Sequence, residues 1–331
     1  MNAHIKDSDK GHWVNRSPLS VRPYLQLSRL DRPVGYWLLA LPGWIGLAFA
    51  TLSHGFTPSD LKWAMLILIG AIAMRGAGCT YNDIVDQDLD RQVERTALRP
   101  LPAGIVTTKQ AWIWLFAQCG VGLVVLLCLP RLAQIISLCS IPLVAAYPFM
   151  KRITWWPQVW LGLTFNWAVL VAYAAKTGTV SVPLLTLYTG LIFWTVGYDT
   201  IYACQDIEDD MKIGVKSTAR RFGDSIKYGV AVSYIISVLI MWVAISLIPL
   251  NDAHLDLNGW SPNTVSKYAS IYMSPLLGIV LIPMSCHLWL QTIRFNPNDG
   301  KASLKLFKSN ALTGILFPCG LVFSYFLLNI P

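Results

Sequence analysis

Two short runs of carboxylates, Asn82-Asp83-Ile84-Val85-Asp86-Gln87-Asp88-Leu89-Asp90 and Asp206-Ile207-Glu208-Asp209-Asp210, each close a long apolar stretch. Residues 83–94 and 206–210 hold half of the 18 acidic residues of the chain. Carboxylates crowded at the end of a hydrophobic span repel one another and lose solvation unless a cation neutralises them. A hard divalent ion such as Mg2+ takes oxygen ligands and bridges protein carboxylates to substrate phosphates. On a helix, Asn82, Asp86 and Asp90 stand at i, i+4 and i+8, with Asp83 three residues before Asp86, so one stripe carries several oxygen donors. Asp206 and Asp210 repeat the i, i+4 spacing, and Asp199 stands two turns earlier on the same side. Asp88, Glu94 and Glu208 fall off these stripes and are read as solvated. The chemistry expected is a metal-and-phosphate site held at a membrane surface.

Basic residues are interleaved with both runs: Arg91, Arg95 and Arg99 after the first, Lys212 and Lys216 after the second, and Lys151-Arg152 after another apolar span. A diphosphate beside metal-bound carboxylates calls for such cations. Arg95, Lys151 and Lys216 are assigned to that task, whereas Arg220, Arg221 and the bases of 292–309 are assigned to membrane topology. Arg75 lies inside an apolar span, about two turns before Asn82, where an unpaired guanidinium is costly. It is expected to face the protein interior and to meet an acid or an anionic ligand. Tyr147, Tyr198 and Tyr202 fall near the mouth of the same site.

The elements that carry these residues follow from composition. The chain has 331 residues, 54% hydrophobic and only 13% charged, with a mean hydropathy of +0.49, which is too apolar for a soluble globule. Nine runs near 20 residues read as membrane-spanning helices, at roughly 36–54, 62–82, 110–129, 132–150, 156–175, 181–203, 228–250, 269–291 and 310–330. Their linkers are short, so residues 1–331 are expected to form a single membrane domain, with 1–27 as a flexible cytosolic terminus. Of the 26 Lys and Arg, 21 fall on the side of the N-terminus and four on the other. That asymmetry places the N-terminus and both acidic runs in the cytosol. The net charge of +8 thereby reflects topology, and no nucleic-acid partner is needed to explain it. The seven cysteines show no CxxC spacing and the five histidines form no transition-metal box. The N-terminus lacks an apolar signal core and resembles no Arg-rich, acid-poor transit peptide, so insertion into the endoplasmic reticulum or another endomembrane is expected.

The two acidic runs also align with each other at an offset of 123 residues, each reading amide, Asp, Ile, any residue, Asp if Glu208 is the free position. Four spans per unit (2–5 and 6–9) make the units parallel repeats, with span 1 an addition. Two such half-sites would face one central cavity.

The stretch Met74-Arg75-Gly76-Ala77-Gly78-Cys79-Thr80-Tyr81-Asn82-Asp83, continuing through Arg95-Thr96 to Arg99-Pro100-Leu101-Pro102-Ala103-Gly104, resembles the NDxxDxxxD signature of the UbiA superfamily of intramembrane prenyltransferases. The run from Tyr198-Asp199 through Asp206–Asp210 to Gly214-Val215-Lys216-Ser217-Thr218-Ala219 is similar to its second, DxxxD signature. Arg32-Pro33-Val34-Gly35 and Tyr147-Pro148-Phe149-Met150-Lys151-Arg152 resemble the 4-hydroxybenzoate polyprenyltransferase branch. The likeness covers roughly residues 28–225.

The resemblance implies an all-α fold of nine transmembrane helices around a central cavity and a Mg2+-dependent transfer. It implies that Asn82, Asp86, Asp206 and Asp210 bind Mg2+, with Asp83, Asp90 and Asp199 supporting. An allylic diphosphate would ionise, and an electron-rich aromatic carbon would attack the cation in a dry cavity. Arg32, Arg75 and Arg152 become candidates for an acceptor carboxylate or for the diphosphate. The run Tyr198-Asp199-Thr200-Ile201-Tyr202-Ala203-Cys204-Gln205-Asp206 looks like the fungal meroterpenoid type, which joins farnesyl to aromatic polyketide acids. That acceptor is the expectation. The alternative is a 4-hydroxybenzoate enzyme of ubiquinone synthesis in the mitochondrial inner membrane. A more distant reading, a cation-coupled transporter, would hold its acids near the bilayer midplane.

Overall fold

A computed structural model describes residues 11–92, 96–205, 207–212, 214–248 and 277–328; of 208–210, 277 and 327–328 only the backbone is described. The described residues are helical and contain no strand. In chain order the helices are α1 (Arg22–Leu27), α2 (Val34–His54), α3 (Ser59–Val85), α4 (Gln87–Asp90), α5 (Thr108–Leu127), α6 (Arg131–Cys139), α7 (Ile141–Ile153), α8 (Pro157–Phe165), α9 (Trp167–Thr177) and α10 (Val182–Ala203). They continue with α11 (Ile207–Lys212), α12 (Thr218–Phe222), α13 (Ile226–Ser246), α14 (Ile282–Arg294) and α15 (Gly300–Leu328).

Nine spans were expected, and seven helical stretches among the described residues are long and apolar enough to cross a membrane. The fourth and fifth spans are each split. Ser140 separates α6 from α7, whose first turn holds Pro142. Asn166 separates α8 from α9, and its Nδ2 donates to Gly162 O at 2.8 Å, Leu191 O at 3.1 Å and Thr195 Oγ1 at 2.8 Å. The sixth span, α10, has the length but not the apolarity, because it carries several Thr and Tyr and Asp199; Tyr188, Thr195, Tyr198 and Thr200 are buried in the interior. Of the eighth expected span, residues 269–276 lie outside the described residues.

The core runs along α10, which packs against α13, α8 and α15, while α2 packs between α9, α15 and α3. Trp194, Tyr198, Leu187, Leu191 and Phe317 are fully buried there. Contact between α2 and α9 is backbone-close: a Cβ at Gly46 would stand 2.5 Å from Val169 O. In a lipid-facing bundle such small-residue approaches supply the packing that the hydrophobic effect supplies in water. Polar cross-links add to it. Trp194 Nε1 donates to Asn310 Oδ1 at 3.0 Å and Tyr234 Oη to Gln291 Oε1 at 2.8 Å, joining α10, α13, α14 and α15.

Residues 1–27 were expected to be flexible; 1–10 lie outside the described residues, and within the remainder α1 packs on α3 and α5. Leu27 is fully buried with Leu101, Val106 and Ala111. Ser28 Oγ donates to Gln118 Oε1 at 2.9 Å and accepts from Trp114 Nε1 at 2.8 Å, while Gln118 Nε2 reaches Thr80 Oγ1 at 3.4 Å. This network ties the 28–33 connection to α3 and α5. Within it Arg29 adopts a left-handed backbone (φ 55°), which a non-glycine residue keeps only where its surroundings over-determine it.

Candidate active site

Helix α3 delivers the first acidic run and ends on it. Asp86 breaks the helix (φ −99°, ψ 9°), and α4 follows at once. The i, i+4 hydrogen bonds nevertheless continue, from Asp86 N to Asn82 O at 2.9 Å and from Asp90 N to Asp86 O at 2.8 Å. Asp83, Asp86 and Asp90 are all buried, whereas the Asp88 side chain is 92% exposed and pairs with Arg91.

Each buried carboxylate is met by cations from distant segments. Arg29 Nη2 lies 2.5 Å from Asp83 Oδ1, and Arg99 Nη1 lies 3.3 Å from the same oxygen and 2.9 Å from Asp90 Oδ2. Asp86 is clasped by Lys151 Nζ on Oδ2 and by Arg152 Nη2 on Oδ1 at 2.8 Å. Burial pushes the Asp90 carboxyl above the usual aspartate range, against the pull of Arg99. Burial also opposes the charge of Arg29, but Asp83, together with Asp31 and Asp90, more than offsets this and keeps it protonated. Among the described residues, two buried atoms in this cluster have no hydrogen-bond partner: Asp83 Oδ2 and Arg99 Nε.

The cluster borders a cavity of about 950 Å³. Asn82, Asp83, Asp90, Arg29, Arg32, Arg99, Lys151 and Lys216 line its charged end. Lys216 is held there by its backbone N–H on Lys151 O at 2.9 Å and by its Nζ on Ile153 O at 3.1 Å. Arg32 Nε lies 3.4 Å from Asp31. Farther along α3, Arg75 faces the same space. Its guanidinium lies over the Phe165 ring at 5.1 Å, and its buried Nε has no hydrogen-bond partner. Tyr147, Asp199, Tyr198 and Tyr202 border this region. Beyond it the wall turns apolar, through Leu115, Leu123 and Leu126 of α5 and Leu138, Ile141 and Val144 of α6 and α7.

The structure therefore brings together Asn82, Asp83, Asp90, Asp199, Arg32, Arg75, Tyr147, Lys151, Tyr202 and Lys216 around one cavity. Asp86 and Arg152 stand behind that wall, paired with each other, and the Arg152 side chain is 44% exposed. Arg95 and Asp206 lie outside the described residues, as does the side chain of Asp210 on α11. Three basic residues at the cavity were not among those singled out. Arg29 and Arg99 had been counted as topological charge or motif flank, and Lys308 of α15 had been assigned to topology with its neighbours. Lys308 joins Leu304 and Phe307 in the cavity wall, where the tilted rings of Phe307 and Tyr202 lie 4.5 Å apart between centres.

Among the described residues no three His, Cys, Asp or Glu side chains are grouped to hold a metal by themselves. The donor chemistry still fits Mg2+: the groups are oxygens, and the buried Asp83 Oδ2 is without a partner. The remaining carboxylates of the expected set belong to the second run.

The profile of the UbiA prenyltransferase family matches residues 39–317. The chain belongs to that family. Mitochondrial 4-hydroxybenzoate polyprenyltransferases are among its relatives. The bovine protein is 40% identical over 314 residues, covering 93% of this chain and 77% of the relative. The Arabidopsis thaliana and human proteins are 48% and 49% identical over 217 and 219 residues; these matches take in 65% of this chain but only 53% and 57% of those proteins. The chain thus spans little more than half the length of these two UbiA relatives. Among solved structures, a UbiA homologue from Archaeoglobus fulgidus bound to GPP and Mg2+ shares the fold with a TM-score of 0.62 at 18% identity, covering 92% of this chain and 99% of that one. A UbiA homologue from Aeropyrum pernix matches with a TM-score of 0.58 at 23% identity, over 88% of this chain and 98% of that one.

Proposed function

We propose that this chain transfers a polyprenyl group from its diphosphate to a ring carbon of 4-hydroxybenzoate or a close phenolic acid. The observation that carries the reading is the polarity of this cavity: carboxylates and cations at the end of α3, an apolar wall beyond, and a single guanidinium there, Arg75, about 10 Å along α3 from Asn82. The charged end suits a diphosphate, the apolar wall suits its prenyl tail, and Arg75 suits the carboxylate of the acceptor.

Mg2+ held by Asn82, Asp206 and Asp210, with Asp86 joining them where Lys151 leaves its Oδ2 for the diphosphate and with Asp83, Asp90 and Asp199 in support, would neutralise the diphosphate and stabilise it as a leaving group. Lys151, Lys216, Arg29, Arg99 and Arg95 add positive charge on the same side. The bond from the prenyl C1 to the diphosphate oxygen breaks, the ring carbon donates the pair that forms the new C–C bond, and the ring proton is lost. Tyr147, Phe165 and Tyr202 border the reacting region and limit water that would capture the allylic cation. Arg32 stands at the charged end and is assigned to the diphosphate, whereas Arg152 acts on Asp86.

The polyketide-acid acceptor expected from the Tyr198–Asp206 run gives way here to 4-hydroxybenzoate, because relatives at 40–49% identity carry that name. Their mitochondrial location supports the mitochondrial inner membrane over the endoplasmic reticulum. Residues 1–331 act as one membrane domain, with the acidic runs on the side rich in Lys and Arg. The deciding experiment sets purified protein with Mg2+ against prenyl diphosphates of 10, 15, 20 and more carbons, each with 4-hydroxybenzoate and with an orsellinic-type acid. Product from 4-hydroxybenzoate with the longer donors is expected. A preference for farnesyl diphosphate with the orsellinic-type acid would overturn the reading.

A further inference from the structure

Gly35 is the last residue of the Arg32-Pro33-Val34-Gly35 run, in the first turn of α2, and it lines the cavity opposite Arg75. Its backbone is not left-handed, so nothing about φ demands glycine there. Space does. A Cβ at position 35 would stand 2.8 Å from Arg75 Nε, 3.2 Å from Nη2 and 3.4 Å from Cζ.

Gly46 and Gly162 face backbone instead. A Cβ at Gly46 would meet the Val169 carbonyl at 2.5 Å, and one at Gly162 would meet backbone of Ile192 at 3.1 Å. Those glycines let helices touch, and filling them would push backbones apart. At Gly35 the three nearest atoms all belong to the mobile end of one long side chain. A methyl group there would leave the helix packing in place and displace the guanidinium. Among the described residues the Arg75 Nε has no hydrogen-bond partner, and its guanidinium lies over the face of Phe165 at 5.1 Å.

We propose that Gly35 is a positioning and specificity-determining residue, whose missing side chain seats the Arg75 guanidinium between α2 and Phe165 where it meets the carboxylate of the acceptor. The inference rests on the reading that Arg75 binds that carboxylate. Any side chain at 35 selects against carboxylated acceptors by moving their partner, without touching the diphosphate end of the site.

The test is a four-variant kinetic set in detergent: the unmodified protein, Gly35→Ala, Arg75→Ala and the double variant, with acceptor binding followed by equilibrium dialysis where turnover is too low to fit. For Gly35→Ala, the KM (or Kd) for 4-hydroxybenzoate should rise by roughly 10-fold to 100-fold, as for about 1 Å of misplacement. The KM for prenyl diphosphate should stay within about twofold, and Tm should not fall, since Ala is the better helix former. In the Arg75→Ala background, Gly35→Ala should have no further effect, and the same loss of sensitivity is expected with 4-hydroxybenzamide as acceptor. An equal rise in both backgrounds, a rise for both substrates, or a fall in Tm that accounts for the lost activity would overturn the proposal. If Arg75→Ala weakens the acceptor but Gly35→Ala does not, only the role of Gly35 falls. If Arg75→Ala leaves the acceptor unchanged, the carboxylate reading falls and takes this proposal with it.

Discussion

The two ends of α3 both bury charge, and they do so in opposite ways. At its start, Asp60 pairs with Lys176 of α9 at 2.6 Å, both side chains nearly closed to solvent. Every polar atom there is satisfied. Asp60 also accepts from Thr57 N and Thr57 Oγ1 at 3.0 Å each, and Lys176 donates to Thr51 Oγ1 of α2 at 2.8 Å. At the other end, about 40 Å away by helix length, three carboxylates meet four cations, and Asp83 Oδ2 and Arg99 Nε are left without partners beside a cavity. The first set is a clamp that joins α2, α3 and α9. The second has unused hydrogen-bonding capacity where a ligand can reach it. A buried ion pair therefore does not mark a site, but an incomplete one at a cavity wall does.

The contrast can be broken by mutation. Lys176→Met leaves Asp60 buried and alone and should lower stability by ~3–5 kcal/mol, read as a fall in Tm in detergent, with activity per folded molecule retained. Adding Asp60→Leu should recover most of that loss, because replacing both charges with apolar groups is close to neutral. Asp86→Ala should do the reverse: about 100-fold or more off kcat, with the protein still folded. Here a compensating Lys151→Met should restore nothing. Unchanged turnover in Asp86→Ala would make the second set another clamp and remove the reason for calling it a site.

A smaller effect sharpens the comparison. Gln118→Ala removes the partner of Ser28 and of Thr80, which should cost ~1–3 kcal/mol. Because this network holds the segment that carries Arg29 to Asp83, the KM for prenyl diphosphate should rise while that for the acceptor stays put. A pure loss of Tm with unchanged kinetics would show that the 28–33 connection is scaffold only. Smaller still, Lys308→Ala should raise the KM for prenyl diphosphate by about threefold to tenfold, on the scale of one partly exposed ionic contact. No change would return Lys308 to the topological role first assigned to it.

Much of the fold was legible in the chain because membrane spans are a local, additive signal: twenty apolar residues read the same in any context. Where this failed, tertiary placement had overruled composition. Interior α10 carries Thr, Tyr and Asp199 and so looks less apolar than a lipid-facing helix, while Ser140 and Asn166 break spans whose average hydropathy is continuous. The site was legible to the extent that its parts are neighbours in sequence. Asn82, Asp83, Asp86 and Asp90 announce themselves by spacing within a few turns. Asp86 was expected as a metal ligand on one helical stripe, but it caps the helix and is covered by Lys151 and Arg152.

What the sequence by itself determined is the kind of molecule and the kind of chemistry: a helical membrane protein with oxygen donors and cations gathered where apolar spans end. Both follow from composition and from spacing inside single helices. Only the tertiary structure decided which cation serves which carboxylate. Arg29 reaches Asp83 across 54 residues and Lys151 reaches Asp86 across 65. It also decided that Gly35 lies against Arg75. Such pairings depend on how helices far apart in the chain pack together, and local residue patterns do not encode that packing.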